Sequence, residues 1–385
     1  MVNAGMAMQN KLRVGVIFGG RSGEHEVSLM SARSILRALD PDKYSVTQIG
    51  LTYEGNWLVG ENVLDALSQN RLDSLSPAAI LPDPRWRSVY QIDHQSQGEL
   101  LKSLAELDVV FPVLHGPYGE DGTVQGLLEM ADMAYVGAGV VGSAVGMDKG
   151  IFKDVMRAHD IPVVDWMIVT RLEIEQDVDK VVERALKLAD FPLFVKPANL
   201  GSSVGITKCN TRSDLFEGLI EAIRYDRRVL VERGVLQARE FEVSVLGNEN
   251  PEVSMPGEVM PSREFYSYEA KYIDNRSQLL IPAPLPAELI QRIQDLAVRA
   301  YQAIDCAGMA RADFLLGKGS SAGETGPLYL GELNTIPGFT SISMYPKLWE
   351  ASGLPYSALV DRLIELALER KHDRDRTECR YRGGG

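Results

Sequence analysis

Near the end of the chain, three oxygen-bearing side chains and one guanidinium sit at strand spacing, and together they could hold a divalent cation. The strand-like run 310–316 carries Arg311 and Asp313, and the run 327–334 carries Glu332 and Asn334. Side chains two apart on a strand share a face. The Gly/Ser-rich turn between the runs predicts a hairpin, which brings Asp313, Glu332 and Asn334 together beside Arg311. Mg²⁺ takes one or two carboxylates and completes its shell with substrate phosphates. The apolar neighbours Met309, Phe314, Leu315, Leu330 and Leu333 set these groups in a core-forming segment, not on a merely solvated face.

A second group has the chemistry of phosphate binding. Lys196 ends a buried strand-like run, 191–196, and Gly201-Ser202-Ser203-Val204-Gly205 follows. Backbone N–H groups in such a turn form an anion nest, and the lysine supplies charge. The Walker A spacing is absent. Lys149 follows Asp148 at the start of a predicted helix. Glu24 lies just beyond strand 12–18 and its Gly19-Gly20-Arg21-Ser22-Gly23 turn, and His115 just beyond strand 107–114. Open α/β sheets bind ligands at such carboxyl strand ends. Residues 261–277, with Phe265, Tyr266, Tyr268 and Tyr272, form a long loop too aromatic for disorder and suited to a lid. A nucleoside triphosphate with Mg²⁺ accounts for these features together, since phosphoryl transfer needs positioning and charge neutralisation more than a nucleophile. No Cys–His or Ser–His pair is legible, so covalent catalysis is not expected.

The elements that must position these groups alternate. Strand 12–18, its glycine turn, a helix with Leu29, Ala32, Ile35, Leu36 and Leu39 at helical spacing, and strand 45–52 make a βαβ unit. The G-x-G-x-x-G spacing is missing, which weakens a dinucleotide reading. A dehydrogenase or sensor built on that turn would also leave Lys196, Asp313, Glu332 and Asn334 unexplained. Helix 173–188, strands 228–232 and 241–246, helix 286–304 and a closing helix 356–368 follow.

With 385 residues, about 150 per domain predicts two or three domains. The excess of 53 acids over 40 bases, net −13, argues against a nucleic-acid partner. Cys209, Cys306 and Cys379 are too scattered for a metal motif and suit a reduced, cytoplasmic setting. The longest uncharged apolar stretch, 133–147, is short of the ~20 residues that span a bilayer, so no membrane partner is expected. The first residues lack the apolar core of a signal peptide. Residues 1–10 and 372–385 are expected to be disordered tails.

The ordered set GGRSGEHEVS, LHGPYGEDGTVQG, MDKGIFK, KPANLGSSVG, EFYSYEAKY, MARADF and ELNTIPGFTSISMYP resembles the D-alanine–D-alanine ligases of the ATP-grasp superfamily, from Lys11 to about Leu368. The resemblance implies an α/β fold: an N-terminal Rossmann-like (pre-ATP-grasp) domain over 11–139, followed by a two-subdomain ATP-grasp fold with a central small domain over 140–231 and a C-terminal domain over 232–371 that carries the lid 261–277. It implies ATP-dependent formation of D-alanyl-D-alanine for peptidoglycan through a D-alanyl phosphate, with release of ADP and phosphate. Residue by residue, Glu24 matches the anchor for the first substrate's ammonium, with Ser202 and Tyr272 its hydrogen-bond partners, and His115 matches the first-substrate pocket. Lys149 and Lys196 match the ATP-phosphate lysines, Ser203 an ATP-binding position, and Lys271 on the lid a γ-phosphate contact. Glu232, Arg233 and Val235 match the adenine hinge and Glu240 the ribose carboxylate. Asp313, Glu332 and Asn334 match the ligands of two Mg²⁺ (or Mn²⁺) ions. Arg311 and the Gly338 amide match oxyanion stabilisers, and Ser343 and Met344 the second-substrate carboxylate site. Met344 departs from the leucine common there. By analogy a homodimer is implied. The nearest alternative is a D-alanine–D-lactate ligase, and the pair Lys271-Tyr272 on the lid resembles the dipeptide-forming enzymes instead.

Overall fold

In the computed structural model, residues 11–96, 98–260, 278–319 and 325–378 are described. The segment expected to be a lid, 261–277, with Lys271 and Tyr272, lies outside the described residues. The apolar run at the start forms β1 (Leu12–Gly19). Val14, Val16, Ile17 and Phe18 are all fully buried, as expected of a parallel strand covered on both faces. Helix α1 (His25–Ala38) returns the chain to β2 (Tyr44–Leu51), which pairs parallel to β1. On the other side of β1 lie β7 (Val109–Val113) and then β8 (Ala134–Tyr135), also parallel. Strand order reverses at β1, so the ends of β1 and β7 open on one crevice. The Gly19–Gly20 turn and His115 stand there.

Residues 53–106 had no assignment from sequence. They add β3 (Trp57–Val59), α2 (Val63–Ser68), β4 (Ser76–Ile80), β5 (Ser88–Gln95) and β6 (Gly98–Glu106). The strands extend the sheet antiparallel beyond β2 to eight strands. Helix α3 (Thr123–Met130) and α4 (Val140–Met147) follow on either side of β8.

Asp148 then accepts N–H bonds from Gly150 and Ile151 and caps α5 (Lys149–Ala158). The cap fixes Lys149 as the first helical residue and places Lys153 one turn on, on the same face. The central sheet has order β11-β10-β12-β9, from β9 (Trp166–Thr170), β10 (Leu193–Pro197), β11 (Thr207–Cys209) and β12 (Arg228–Arg233). Helices α6 (Arg171–Leu186) and α7 (Arg212–Ala222), each with a threonine capping box, join Leu193, Val195, Val229 and Val231 in one core. The period of two therefore turns Phe194, Lys196, Leu230 and Glu232 to the opposite face.

The C-terminal sheet contains β13 (Arg239–Gly247), β14 (Glu252–Val253), β15 (Gly257–Met260), β16 (Gln278–Leu280), β17 (Gly308–Lys318) and β18 (Thr325–Asn334). Helix α8 (Ala287–Ala303) packs Ile293, Ala297, Ala300 and Tyr301 onto Phe241, Val243, Ala312 and Phe314. Helices α9 (Met344–Ala351) and α10 (Tyr356–Arg374) close the chain. Leu359, Val360, Leu363 and Ile364 of α10 share a core with Val14, Phe18 and Phe111 of the first sheet and with Met309, Ile336 and Phe339. Helix α10 runs past 368, so residues 372–374 of the expected tail are helical. The extension has a physical cause: Arg370 Nη2 donates to Tyr135 O at 3.0 Å, and Lys371 pairs with Asp132 at 3.1 Å. Among the described residues no helix is long and apolar enough to cross a membrane.

Candidate active site

The metal-type cluster forms across the β17–β18 hairpin. Arg311 faces Asn334, and Asp313 faces Glu332. The register slips between Asp313 and Phe314, whose partner is Leu330, so Gly331 is the extra residue of a β-bulge. A one-residue slip exchanges the faces of a strand. Leu328 and Leu330 before it, and Leu333 after it, all join the core, while Glu332 and Asn334 turn to the other side. Glu242 of β13 faces Asp313 from the opposite flank. Three carboxylates thus lie in a row across three strands. Arg311 grips Asp313 through Nε at 2.7 Å and Nη2 at 2.6 Å, and its Nε is 2.9 Å from Glu242 Oε2. Asn334 Nδ2 donates to Asp313 at 3.2 Å and to Glu332 at 3.3 Å. Burial, with the charges of Glu242 and Glu332, outweighs Arg311 and pushes the Asp313 carboxyl up to about 7. Carboxylates gathered on one face of adjacent strands suit a cation. Among the described residues no group of three or more His, Cys, Asp or Glu side chains is arranged to hold a metal ion by itself. Two carboxylates and an amide match the smaller share that Mg²⁺ takes from protein when phosphates supply the rest.

Lys149, Lys153 and Lys196 come together on one side of the same cleft. Lys149 Nζ donates to Leu200 O at 2.5 Å, which ties the start of α5 to the Gly201–Gly205 turn. Burial lowers the Lys149 ammonium, with Glu332 pulling the other way. Lys196 pairs with Glu232, and Lys153 Nζ lies 3.1 Å from the second Glu232 oxygen. Burial raises the Glu232 carboxyl, but the two ammoniums outweigh it and hold it at about 2. Arg233 reaches across to Tyr329 OH at 3.0 Å, linking the central sheet to β18. Val235 is half-buried beyond it, and Glu240 is partly buried on β13, close enough to Lys196 to raise that lysine.

The first sheet supplies the third wall. Glu24 is buried and accepts the Ser202 hydroxyl. Ser202 and Ser203 both have left-handed backbone, φ 49° and 59°, which is rare outside glycine. A Cβ on Gly116 would come within 2.7 Å of Glu24 Oε2, and one on Gly201 within 2.6 Å, so two glycines leave the space that the carboxylate occupies.

His115 is where the sequence expectation needs correction. A Ser–His pair does exist: Ser31 Oγ lies 3.0 Å from His115 Nε2. It is not a nucleophile–base pair. Ser31 is fully buried and accepts the Phe339 N–H at 3.2 Å, while His115 Nδ1 meets Ile336 O at 3.0 Å. Burial keeps the imidazole neutral by lowering its pKa. Both ring nitrogens therefore face protein, and the pair holds the 335–340 segment that carries Gly338. Glu120 completes the clamp. Its two oxygens accept Gly116 N–H at 2.7 Å and Ile336 N–H at 3.2 Å. Tyr356 OH donates to Phe339 O at 2.6 Å. Downstream, Thr340 N–H donates to Ser343 Oγ at 3.0 Å, and buried Met344 opens α9.

Burial, reinforced by Glu24, pushes the Glu120 carboxyl up to about 8. Between the ordinary carboxylate range and that value, the folded protein keeps a proton that the unfolded chain has lost. This group's contribution to stability therefore falls as pH rises through that window. Glu120→Gln is expected to flatten that slope between pH 6 and 8. It also leaves one clamped N–H facing an amide NH₂, a loss of about 1–3 kcal/mol. Thermal melts at three pH values check both, and an unchanged slope would contradict the assignment.

Ser31, Glu120, Lys153 and Glu242 were not singled out from sequence. Glu120 and Lys153 lie inside the motifs HGPYGEDG and MDKGIFK, and that was the available signal. Ser31 and Glu242 had none beyond lying in a helix and a strand, since their partners are distant in sequence.

An N-terminal mixed sheet with a parallel core, followed by two sheets that close over lysines and carboxylates, is the architecture of an ATP-grasp protein. The model of the D-ala D-ala ligase N-terminus matches residues 13–138, and that of the C-terminus matches 155–365. The D-alanine–D-alanine ligase of Natranaerobius thermophilus is 47% identical over 372 residues, covering 96% of this chain and 99% of its own, and that of Thermoanaerobacter sp. is 49% identical over 368 residues, covering 95% and 99%. Among solved structures, the D-alanine-D-alanine ligase of Coxiella burnetii superposes with a TM-score of 0.78 at 37% identity, over 95% of this chain and 96% of its own. The D-Ala:D-Ser ligase of Enterococcus faecalis gives 0.79 at 34%, over 93% and 99%. The chain belongs to the D-alanine–D-alanine ligase family.

Proposed function

We propose that the chain joins two D-alanine molecules at the expense of ATP, giving D-alanyl-D-alanine, ADP and phosphate for peptidoglycan synthesis. The observation that supports this most is the meeting of Glu24, Lys149, Lys196 and the Arg311–Asp313–Glu332–Asn334 hairpin around one cleft, in a chain 47% identical to the Natranaerobius ligase.

Glu24 takes the ammonium of the first D-alanine, steadied by Ser202 and by Tyr272 of the lid. A carboxylate oxygen of that D-alanine attacks the γ-phosphorus. The new P–O bond forms as the bond to the β-phosphate oxygen breaks, and ADP leaves with that electron pair. Lys149, Lys196, Ser203 and Lys271 offset the phosphate charge. Glu232, Arg233 and Val235 seat the adenine and Glu240 the ribose. Mg²⁺ or Mn²⁺ held by Asp313, Glu332 and Asn334 would neutralise charge on the β- and γ-phosphates. The neutral amine of a second D-alanine, its carboxylate at Ser343 and Met344, then attacks the acyl carbon. Arg311 and the Gly338 N–H receive the oxyanion, the nitrogen gives up a proton, and phosphate departs with the C–O electron pair as the carbonyl re-forms. His115 serves the first-substrate pocket by holding the Gly338 segment. The family resemblance supports a homodimer acting in the cytoplasm.

Dipeptide against ester formation is decided by pH. The α-amino group of a peptide loses its proton at about 7.7–8.0 and that of a free amino acid higher still, so dipeptide yield is expected to rise between about pH 6 and 9. D-lactate, with no such proton, competes best at low pH and poorly throughout. Mixed D-alanine and D-lactate reactions at three pH values test this. Mostly ester at neutral pH would overturn the assignment in favour of a D-alanine–D-lactate ligase.

A further inference from the structure

Lys153 is a buried ammonium that the mechanism above does not use. It stands one turn after Lys149 on α5 with 2% of its side chain exposed. Its Nζ meets Glu232 Oε2 at 3.1 Å as an ion pair, without the alignment of a good hydrogen bond. The Trp166 ring lies 6.0 Å from the same nitrogen, and Trp166 faces Glu232 across the β9–β12 pair. The other Glu232 oxygen is held by Lys196.

One carboxylate therefore has two cations. The two differ in reach. Lys196 keeps 23% of its side chain exposed and comes from the strand that leads into the Gly201–Gly205 turn, whereas Lys153 is closed in. If Lys196 turned to a phosphate with no second cation present, Glu232 would be left as an uncompensated buried charge, which is strongly unfavourable. Burial lowers the Lys153 ammonium, and Glu232 opposes that.

We propose that Lys153 is a positioning residue for nucleotide binding: it stays on Glu232 and so frees Lys196 for the phosphates. The inference rests on the nucleotide site proposed above. Among the described residues Lys153 pairs with Glu232 alone; Phe194 and Trp166 face Glu232 across both strands, and a methionine of similar length would pack there. The charge is explained by the exchange.

The experiment is a calorimetric titration of ADP into the full-length protein. In K153M, Glu232 has only Lys196, and the nucleotide must compete for it. The dissociation constant is expected to rise about tenfold or more, while kcat at saturating ATP stays within about threefold. In E232Q, Lys196 has no rival, so K153M added to E232Q is expected to change ADP affinity by less than about threefold. A purely structural role for Lys153 would weaken binding equally in both backgrounds, and that result overturns the proposal. So does wild-type affinity in K153M. In the double variant the closed-in pair is gone and only Lys196, 23% exposed, loses its partner, so if K153M does not fold, a double variant that binds ADP much more weakly than E232Q overturns the proposal. A wild-type protein that binds no ADP would instead sink the nucleotide site itself, and this inference with it.

Discussion

Replacing Arg311 by lysine is expected to lower kcat about 10²–10³-fold, the usual loss for one oxyanion donor, about 2.7–4 kcal/mol. The positive charge survives this substitution, but the fork does not. Arg311 meets both oxygens of Asp313 and also Glu242, and a lysine offers one compact ammonium in place of that planar array. Arg311→Ala is expected to add a fold penalty of about 3–5 kcal/mol, because two buried carboxylates lose their cation. The pair of variants separates the two roles. Steady-state kinetics and a thermal melt of each make the comparison. Full activity in Arg311→Lys would show that the guanidinium does not receive the oxyanion.

Glu332→Gln is expected to behave in the opposite way, losing activity but not fold. Glu332 stands beside Asp313 in a row that also includes Glu242, and like charges so placed repel. Removing one relieves the row, so the melting temperature without metal is expected to hold or rise. Turnover is expected to fall about 10²–10³-fold, since a bound ion contributes several kcal/mol of charge stabilisation to phosphoryl transfer. The Mg²⁺ concentration needed for half-maximal rate should rise as well. Near-normal rates with an unchanged Mg²⁺ requirement would remove Glu332 from the metal set.

Much of this site was legible in the sequence because its chemistry sits on local patterns. The alternation in 310–316 and 327–334 predicted the hairpin, and the register does pair Arg311 with Asn334 and Asp313 with Glu332. Strict alternation alone, however, would put Leu328, Leu330, Glu332 and Asn334 on one face. The bulge at Gly331 separates them, and a single glycine in a strand gives no more than a hint of it. Asp148 was readable as a helix start, and the cap bonds place Lys149 accordingly. His115 was readable as a residue at a strand end, but its partners were not. Ser31 and Ile336 lie 84 and 221 residues away, and long-range pairing leaves no periodic trace. The strands of residues 53–106 carry a weak sequence signal for another reason. β6 is exposed along nearly its whole length, so it lacks the buried alternation by which strands are read. The end of α10 was misjudged because its charges looked like those of a solvated tail, whereas Arg370, Lys371 and Arg374 are bound to the first sheet and α3.

The most direct test of the central claim is stoichiometry. With ATP, Mg²⁺ and D-alanine as the only organic acceptor, ADP, phosphate and D-alanyl-D-alanine are expected in equal amounts, with L-alanine inert. ADP release that does not depend on D-alanine, or that yields no dipeptide, would contradict the account.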